Sequence, residues 1–268
     1  MLLEGGFRGK SKKSQSPRCD RGVYPQVIWL YWVWRLGMLL IGAAPRRFTL
    51  RFAKFLGNAG YYVMGLRRAV AQENFAHVLG KPPNDPEVRR VTRESFVNFT
   101  CHMRDVMLYP SLSMAELEQR VTIRHPEHFE QALAKGKGAI IVSAHFGNMD
   151  LPSAIMANHF KPIALVSETL RPPQLMNYLA KIRGDHHVHM YPYDRAPRKL
   201  IEALKRNEMI AFLLDFGVTH HFDMHTVPVT LFGAETDFPT GPAQMAFLTS
   251  ASILVGYTNV AATGHIDV

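Results

Sequence analysis

The chain has 268 residues and a mass of 30.3 kDa, 47% of it hydrophobic and 20% charged, which excludes a globally disordered protein and suits one large α/β domain or two small ones. Two cysteines, Cys19 and Cys101, exclude a disulfide framework and a cysteine-rich zinc module. A formal net charge of +9 directs the chain toward an anionic partner: nucleic acid, an acidic membrane, or phosphorylated or acidic substrates.

Residues 1–22 read as a basic flexible arm. Arg8, Lys10, Lys12, Lys13, Arg18 and Arg21 face only Glu4 and Asp20, and Gly5, Gly6 and Gly9 loosen the backbone. Such an arm is either a solvated tail or a contact for lipid headgroups. Residues 23–45 follow as an almost unbroken apolar segment, interrupted by Gln26 and Arg35. It is long enough for a bilayer of ~20 residues, but an arginine near its centre costs roughly 2.5–3.5 kcal/mol on insertion. Trp29, Trp32 and Trp34 lie here with Tyr24 and Tyr31, and indole and phenol rings favour the headgroup boundary. The expectation is a helix lying in the membrane interface; a single span and a buried core helix are the alternatives. The apolar run starts too late and runs too long for a cleaved signal peptide.

Residues 46–120 are expected to be helical. Phe48, Leu50, Phe52, Phe55 and Leu56 open this stretch, and residues 80–84 (GKPPN) form a turn. Asp85 or Asn84 caps a helix beginning near Pro86, and Ser113 with Glu116 has the spacing of a capping box. Over 121–268 the period changes. Short β-branched runs at 138–144, 162–166, 188–191, 209–214 and 253–257 alternate with helical patterns at 148–158, 172–183, 196–206 and 241–249. That alternation predicts an α/β fold with a mostly parallel sheet flanked by helices, its ligands at the carboxyl ends of the strands.

The first strand runs directly into Ala144-His145-Phe146-Gly147-Asn148-Met149-Asp150. His145 is therefore expected at the carboxyl edge of the sheet. Gly147 permits a sharp turn, and Asn148 can start the next helix. Asp150 is placed to fold back on the imidazole, fixing its tautomer so that the other ring nitrogen can accept a proton from a hydroxyl. N–H groups of the turn and helix start, at Gly147 and Asn148, are candidates to hold a developing oxyanion. Without Ser or Cys at the turn, the pattern favours direct attack by an acceptor hydroxyl.

The segment AHFGNMDL at 144–151 resembles the H-x-x-x-x-D/E signature of the glycerolipid acyltransferase superfamily, and more closely the bacterial lipid A late acyltransferase family, which includes the phosphatidylinositol mannoside acyltransferases. Further segments match in order: LRRAVAQENFAHVLG at 66–80, EVRRVTRESFVNFT at 87–100, RPPQLMNYLAKIRG at 171–184, MIAFLLD at 209–215, VPVTLFG at 227–233 and FPTGPAQMA at 238–246. The likeness covers roughly residues 25–260. The lipid A branch usually carries Glu where this chain has Asp150 and Trp where it has Met149. That family continues beyond the position of Val268 to an aromatic- and Arg-containing tail, so the chain is expected to lack it.

The resemblance implies a lysophospholipid-acyltransferase-like enzyme with His145 as general base and Asp150 as its orienting partner. It implies that Arg171 and Arg183 bind the acceptor's phosphate or the donor's phosphopantetheine. Asp215 is expected to line the pocket, and Phe232, Gly233, Thr240 and Gly241 to flank the acyl donor, with Thr240 capping the helix that follows. The co-substrate is a thioester of acyl carrier protein or coenzyme A, with no metal and no redox cofactor. The acceptor is a membrane glycolipid, lipid A-type or phospholipid precursor, reached at the cytoplasmic face of a bacterial inner membrane by a peripheral or single-pass protein with an anionic surface as partner. Burying about ten methylenes of the acyl chain contributes roughly 8 kcal/mol. A zinc hydrolase built on His186, His187 and His189 or on His220, His221 and His225, with Asp185, Asp215 and Asp223, is a rival reading, but neither cluster has H-E-x-x-H spacing. A non-catalytic lipid-binding protein is another. Nucleic-acid binding is disfavoured, because the cations precede a Trp-rich apolar segment and no nucleic-acid motif occurs.

Overall fold

The computed structural model describes residues 28–167, 172–192, 196–215, 225–261 and 264–268. The basic arm, residues 23–27 of the apolar segment, Arg171, His220, His221 and Asp223 lie outside the described residues. Helices α1 (Ile28–Ala43), α2 (Arg46–Val63) and α3 (Gly65–Leu79) all pack on the long α4 (Pro86–Leu108). The expected helical stretch 46–79 is two helices, broken at Met64, whose backbone leaves the helical region at φ −92° and ψ 65°. Asp85 caps α4 as expected: its carboxylate accepts from the Glu87 N–H at 2.8 Å, and Pro86 occupies the first turn.

The α2–α4 contact is close because three of its four buried residues are small: Thr49, Ala53 and Gly57 recur every four residues, with Tyr61 following one turn on. A β-carbon at Gly57 would stand 2.5 Å from Val97 Cα and 2.6 Å from Thr100 Oγ1. The Thr100 hydroxyl donates across the seam to the Ala53 carbonyl at 2.7 Å. On α1, Gly37 lies against Met107 of α4, and the Arg35 guanidinium sits 4.7 Å from the centre of the Tyr178 ring. The cation inside the apolar segment thus has an aromatic partner within the protein. Among the described residues, no helix is long and apolar enough to cross a membrane.

A 3-10 turn at Tyr109–Ser111 leads to α5 (Met114–Glu118), where Ser113 and Glu116 form the expected capping box. Strands β1 (Val121–Thr122), β9 (Asn259–Val260) and β10 (Ile266–Asp267) form a small sheet in the order β1-β10-β9. These two-residue pairings, helix α6 (Pro126–Ala134) and the hairpin of β6 (Thr226–Leu231) and β7 (Ala234–Pro239) were not apparent from sequence periodicity. The two-residue pairings carry too few residues to display a period.

The five expected strands are all present: β2 (Ala139–Ser143), β3 (Ile163–Ser167), β4 (Val188–Pro192), β5 (Met209–Leu213) and β8 (Ser252–Val255). They form one parallel sheet in the order β4-β3-β5-β2-β8. Helices α7 (Asp150–His159), α8 (Pro173–Gly184), α9 (Ala196–Lys205) and α10 (Gly241–Thr249) connect them. Alternate strand residues point to opposite faces. Ala139, Ile141, Ile163 and Met209 bury against Ala132 of α6 and Met156 and Ala157 of α7. Ile140, Ala164 and Ile210 bury against Leu200, Ala203 and Leu204 of α9, with Met245 of α10 alongside. A third cluster, of Tyr109, Leu117, Val121, Ile182 and Ile266, covers the outer side of α7 at Leu151 and Ile155. Burial on both sides explains why α7 is apolar nearly all round.

Replacing Gly57 by Ala is expected to force α2 and α4 apart and to cost about 1–3 kcal/mol of stability, read from the urea midpoint. Asp85→Ala is expected to cost about 1 kcal/mol through loss of the cap.

Candidate active site at the carboxyl edge of the sheet

Strands β2 and β5 are neighbours, and Ser143 pairs in register with Leu213. Each strand continues in step for two more residues, with the Leu214 N–H bonding the Ser143 carbonyl at 2.9 Å. This register brings residues 145 and 215 side by side. The Asp215 carboxylate grips His145 twice: Oδ1 lies 2.8 Å from the ring Nδ1, and Oδ2 accepts from the His145 backbone N–H at 2.9 Å. The two side chains are 55% and 41% exposed, so the pair opens to solvent.

The expected contact between Asp150 and His145 is replaced by a different pair. Asp150 Oδ1 accepts from Arg183 Nε at 2.6 Å, with the side chains only 17% and 23% exposed. Arg183, expected to bind a substrate phosphate, instead ties α8 to the first turn of α7 and also contacts Met190 Sδ at 3.0 Å. Burial works against the guanidinium's charge, but the Asp150 carboxylate and its hydrogen bond outweigh it, and the Arg183 pKa is raised. Burial, and then the negative Asp150, push the Tyr109 phenol well above its ordinary value. The reason is positional: Asp150 begins a helix whose sides are buried, so a carboxylate there needs a cation.

The turn between β2 and α7 is held from the other side. Gly147 takes φ +65°, as expected of the sharp turn, and a β-carbon there would lie 2.6 Å from Thr258 Oγ1. The Thr258 hydroxyl donates to the Phe146 carbonyl. Asn148 starts α7 through its side chain, whose Oδ1 accepts from the Asp150 N–H at 2.9 Å and the Leu151 N–H at 3.3 Å. Those two N–H groups at the helix start are therefore occupied. Asn148 is 1% exposed, and its Nδ2 has no partner among the described residues.

Thr240 and Gly241 lie at the same edge; a β-carbon at Gly241 would stand 3.9 Å from the ring of Phe212 near the end of β5. Thr240 does not cap α10 with its side chain; the hydroxyl donates to the His225 carbonyl at 3.0 Å and accepts from Gln244 at 3.0 Å. Phe232 and Gly233 form the tip of the β6–β7 hairpin, with φ +50° and +79°, and Phe232 is exposed. The hairpin pairs on itself, β6 against β7 in antiparallel register. Exposed Phe146 on the turn and exposed Val255 and Tyr257 at the end of the adjoining β8 give this edge an apolar lip. A cavity of about 450 Å³ lined by Val121, Ile123, Ile155 and Phe160 lies at the far end of α7 from His145.

Among the described residues no group of three or more His, Cys, Asp or Glu is gathered as metal ligands are. Of the histidines weighed for zinc, His186 packs at a tilt against Tyr109 with ring centres 4.8 Å apart. Thr258 and Tyr109 escaped sequence reasoning. Thr258 follows the last strand of the sheet and reaches the turn only through β2–β8 pairing, and no local pattern announces that.

A histidine gripped by a carboxylate thus stands at the open edge of a parallel sheet covered by helices on both faces. The chain belongs to the bacterial lipid A biosynthesis acyltransferase family, whose model matches residues 19–260. It is similar to a phosphatidylinositol mannoside acyltransferase of Mycolicibacterium smegmatis, 27% identical over 68% of this chain and 60% of that protein. It is also similar to the phosphatidylinositol mannoside acyltransferase of Mycobacterium tuberculosis, 27% identical over 83% of this chain and 70% of the relative. The chain therefore matches somewhat less than two thirds of the length of the first of these relatives and somewhat more of the second.

Asp150→Asn strips a largely buried guanidinium of its counter-charge and is expected to lower stability by about 1–3 kcal/mol. Asp215→Asn, in a half-exposed pair, is expected to change it by less than about 1 kcal/mol. Urea unfolding of the two variants checks the difference; equal losses would reverse the assignment of the two carboxylates.

Proposed function

We propose that this chain is a membrane-associated O-acyltransferase that moves a fatty acyl group from a thioester of acyl carrier protein or coenzyme A to a hydroxyl of a mannosylated or related glycolipid precursor. The reading rests on the double grip of Asp215 on His145. With Nδ1 carrying its proton toward Asp215, the Nε2 lone pair is the base. It takes the proton of the acceptor hydroxyl as that oxygen forms a bond to the thioester carbonyl carbon. The tetrahedral intermediate then collapses: the C–S bond breaks, the ester remains on the acceptor, and the imidazolium returns its proton to the departing thiolate. No acyl-enzyme forms. Asp215 thus takes the positioning role expected of Asp150, while Asp150 and Arg183 hold the α7 frame behind it.

The exposed apolar lip at Phe146, Val255 and Tyr257 supports an acyl chain crossing this edge, beside the half-exposed imidazole. The names of the mycobacterial relatives support a phosphoinositol mannoside-type acceptor. The large exposed apolar area of the first helices supports peripheral association with a membrane, and the cytoplasmic face follows from the intracellular supply of both thioesters.

The test is transfer of labelled palmitoyl from coenzyme A and from acyl carrier protein to purified phosphatidylinositol mannoside, by the full chain in detergent. His145→Ala is expected to lower the rate by roughly 10²–10⁴. Asp215→Ala is expected to lower kcat on the order of 10²-fold or more with KM little changed, because it acts through the histidine. Wild-type transfer unaffected by His145→Ala would refute the mechanism. Lipid mass spectrometry of cells with and without the gene identifies the acceptor as the class that loses one acyl chain.

A further inference from the structure

We infer that α2, through a ridge of phenylalanines flanked by a row of cations, is the surface that seats this chain on an anionic bilayer. The buried stripe Thr49, Ala53, Gly57 and Tyr61 commits one side of α2 to α4. At 100° per residue, Phe48, Phe52 and Phe55 fall on the opposite side. They are 63%, 50% and 65% exposed, and the Phe48 and Phe52 rings stack with centres 6.5 Å apart. Arg47, Arg51 and Lys54, all exposed, run along one flank of this ridge with the same i, i+4, i+7 spacing. Exposed Leu56 and Val63 line the other.

The charge of this stretch selects a bilayer as the occupant. The sequence has no acidic residue between Asp20 and Glu73, while Arg35, Arg46, Arg47, Arg51, Lys54, Arg67 and Arg68 lie in that interval. Of these, Arg47, Arg51 and Lys54 stand exposed beside the ridge with no acidic residue on α2 itself, the complement of an acidic headgroup layer over acyl chains. A protein interface of this kind would instead be expected to shed lysine from its centre and to carry mixed charge at its rim. Nor is the ridge a leftover of folding: α2 already has its packing partner, and the phenylalanines stand on the side turned away from it. This inference deepens the reading of a lipid-modifying enzyme and rests on it for its purpose. Its geometry does not depend on the chemistry at His145.

The experiment is sedimentation of the full chain with vesicles of phosphatidylcholine alone and with 30% phosphatidylinositol. Wild type and His145→Ala are expected to bind the anionic vesicles equally, which separates docking from catalysis. The triple variant Phe48→Ser, Phe52→Ser, Phe55→Ser is expected to bind at least tenfold more weakly while keeping its circular dichroism and its transfer rate in detergent. Arg47→Gln, Arg51→Gln, Lys54→Gln is expected to remove the preference for anionic over neutral vesicles. Unchanged vesicle binding by the folded triple-serine variant would overturn the inference and leave docking to other segments. A wild-type dimer in solution that this variant converts to monomer would overturn it too, making the ridge a contact between copies.

Discussion

The site depends on the in-register pairing of β2 with β5. Parallel neighbours advance together, so the two residues beyond each strand end emerge at the same height above the sheet. One of these is His145 and the other Asp215. Because the carboxylate binds both the ring and the backbone N–H of the histidine, the imidazole is oriented by a group seventy positions away in the chain. The sheet is buried on both faces, so slipping the register would move apolar residues off their covering helices as well as part the pair. The hydrophobic core and the reactive geometry are thus held by the same pairing.

The carboxylate nearest to His145 in sequence has a different task. Asp150 opens α7, a helix packed against the sheet on one side and against the Tyr109 cluster on the other. A carboxylate in so apolar a place demands a cation, and Arg183 at the end of α8 supplies it. The pair fixes where α7 starts, and Asn148 and Thr258 fix the turn before it. The H-x-x-x-x-D spacing is therefore served by a scaffold for the histidine rather than by a contact with it.

The N-terminal helices show the opposite economy of packing. α2 meets α4 along residues small enough for backbone to approach backbone, so its large side chains are left outward. The α1 helix is docked by Gly37, Met38 and Arg35, while Trp29, Trp32 and Leu39 stay exposed. Close helix contacts through small residues and wide exposure of aromatic ones are two consequences of one arrangement.

The sequence alone determined the elements with long or strongly patterned signals: the five parallel strands, the helices between them, a cap at Asn84 or Asp85, the Ser113–Glu116 box and the turn at Gly147. Each of these is written in a contiguous stretch, where periodicity, capping chemistry and backbone freedom act over a few residues. His145 at the sheet edge was legible for the same reason. Its partner was not, because two carboxylates stood at plausible positions and only strand order decides between them. The sequence places Asp215 at this edge without disclosing its contact with the ring, and the partners of Arg183 and Thr240, namely Asp150, the His225 carbonyl and Gln244, are likewise invisible in it. Short strands, the β6–β7 hairpin and Thr258 depend on pairing between distant segments. Tertiary structure decided which carboxylate meets the imidazole, since that contact is created by sheet register, a relation between strands that no single segment contains.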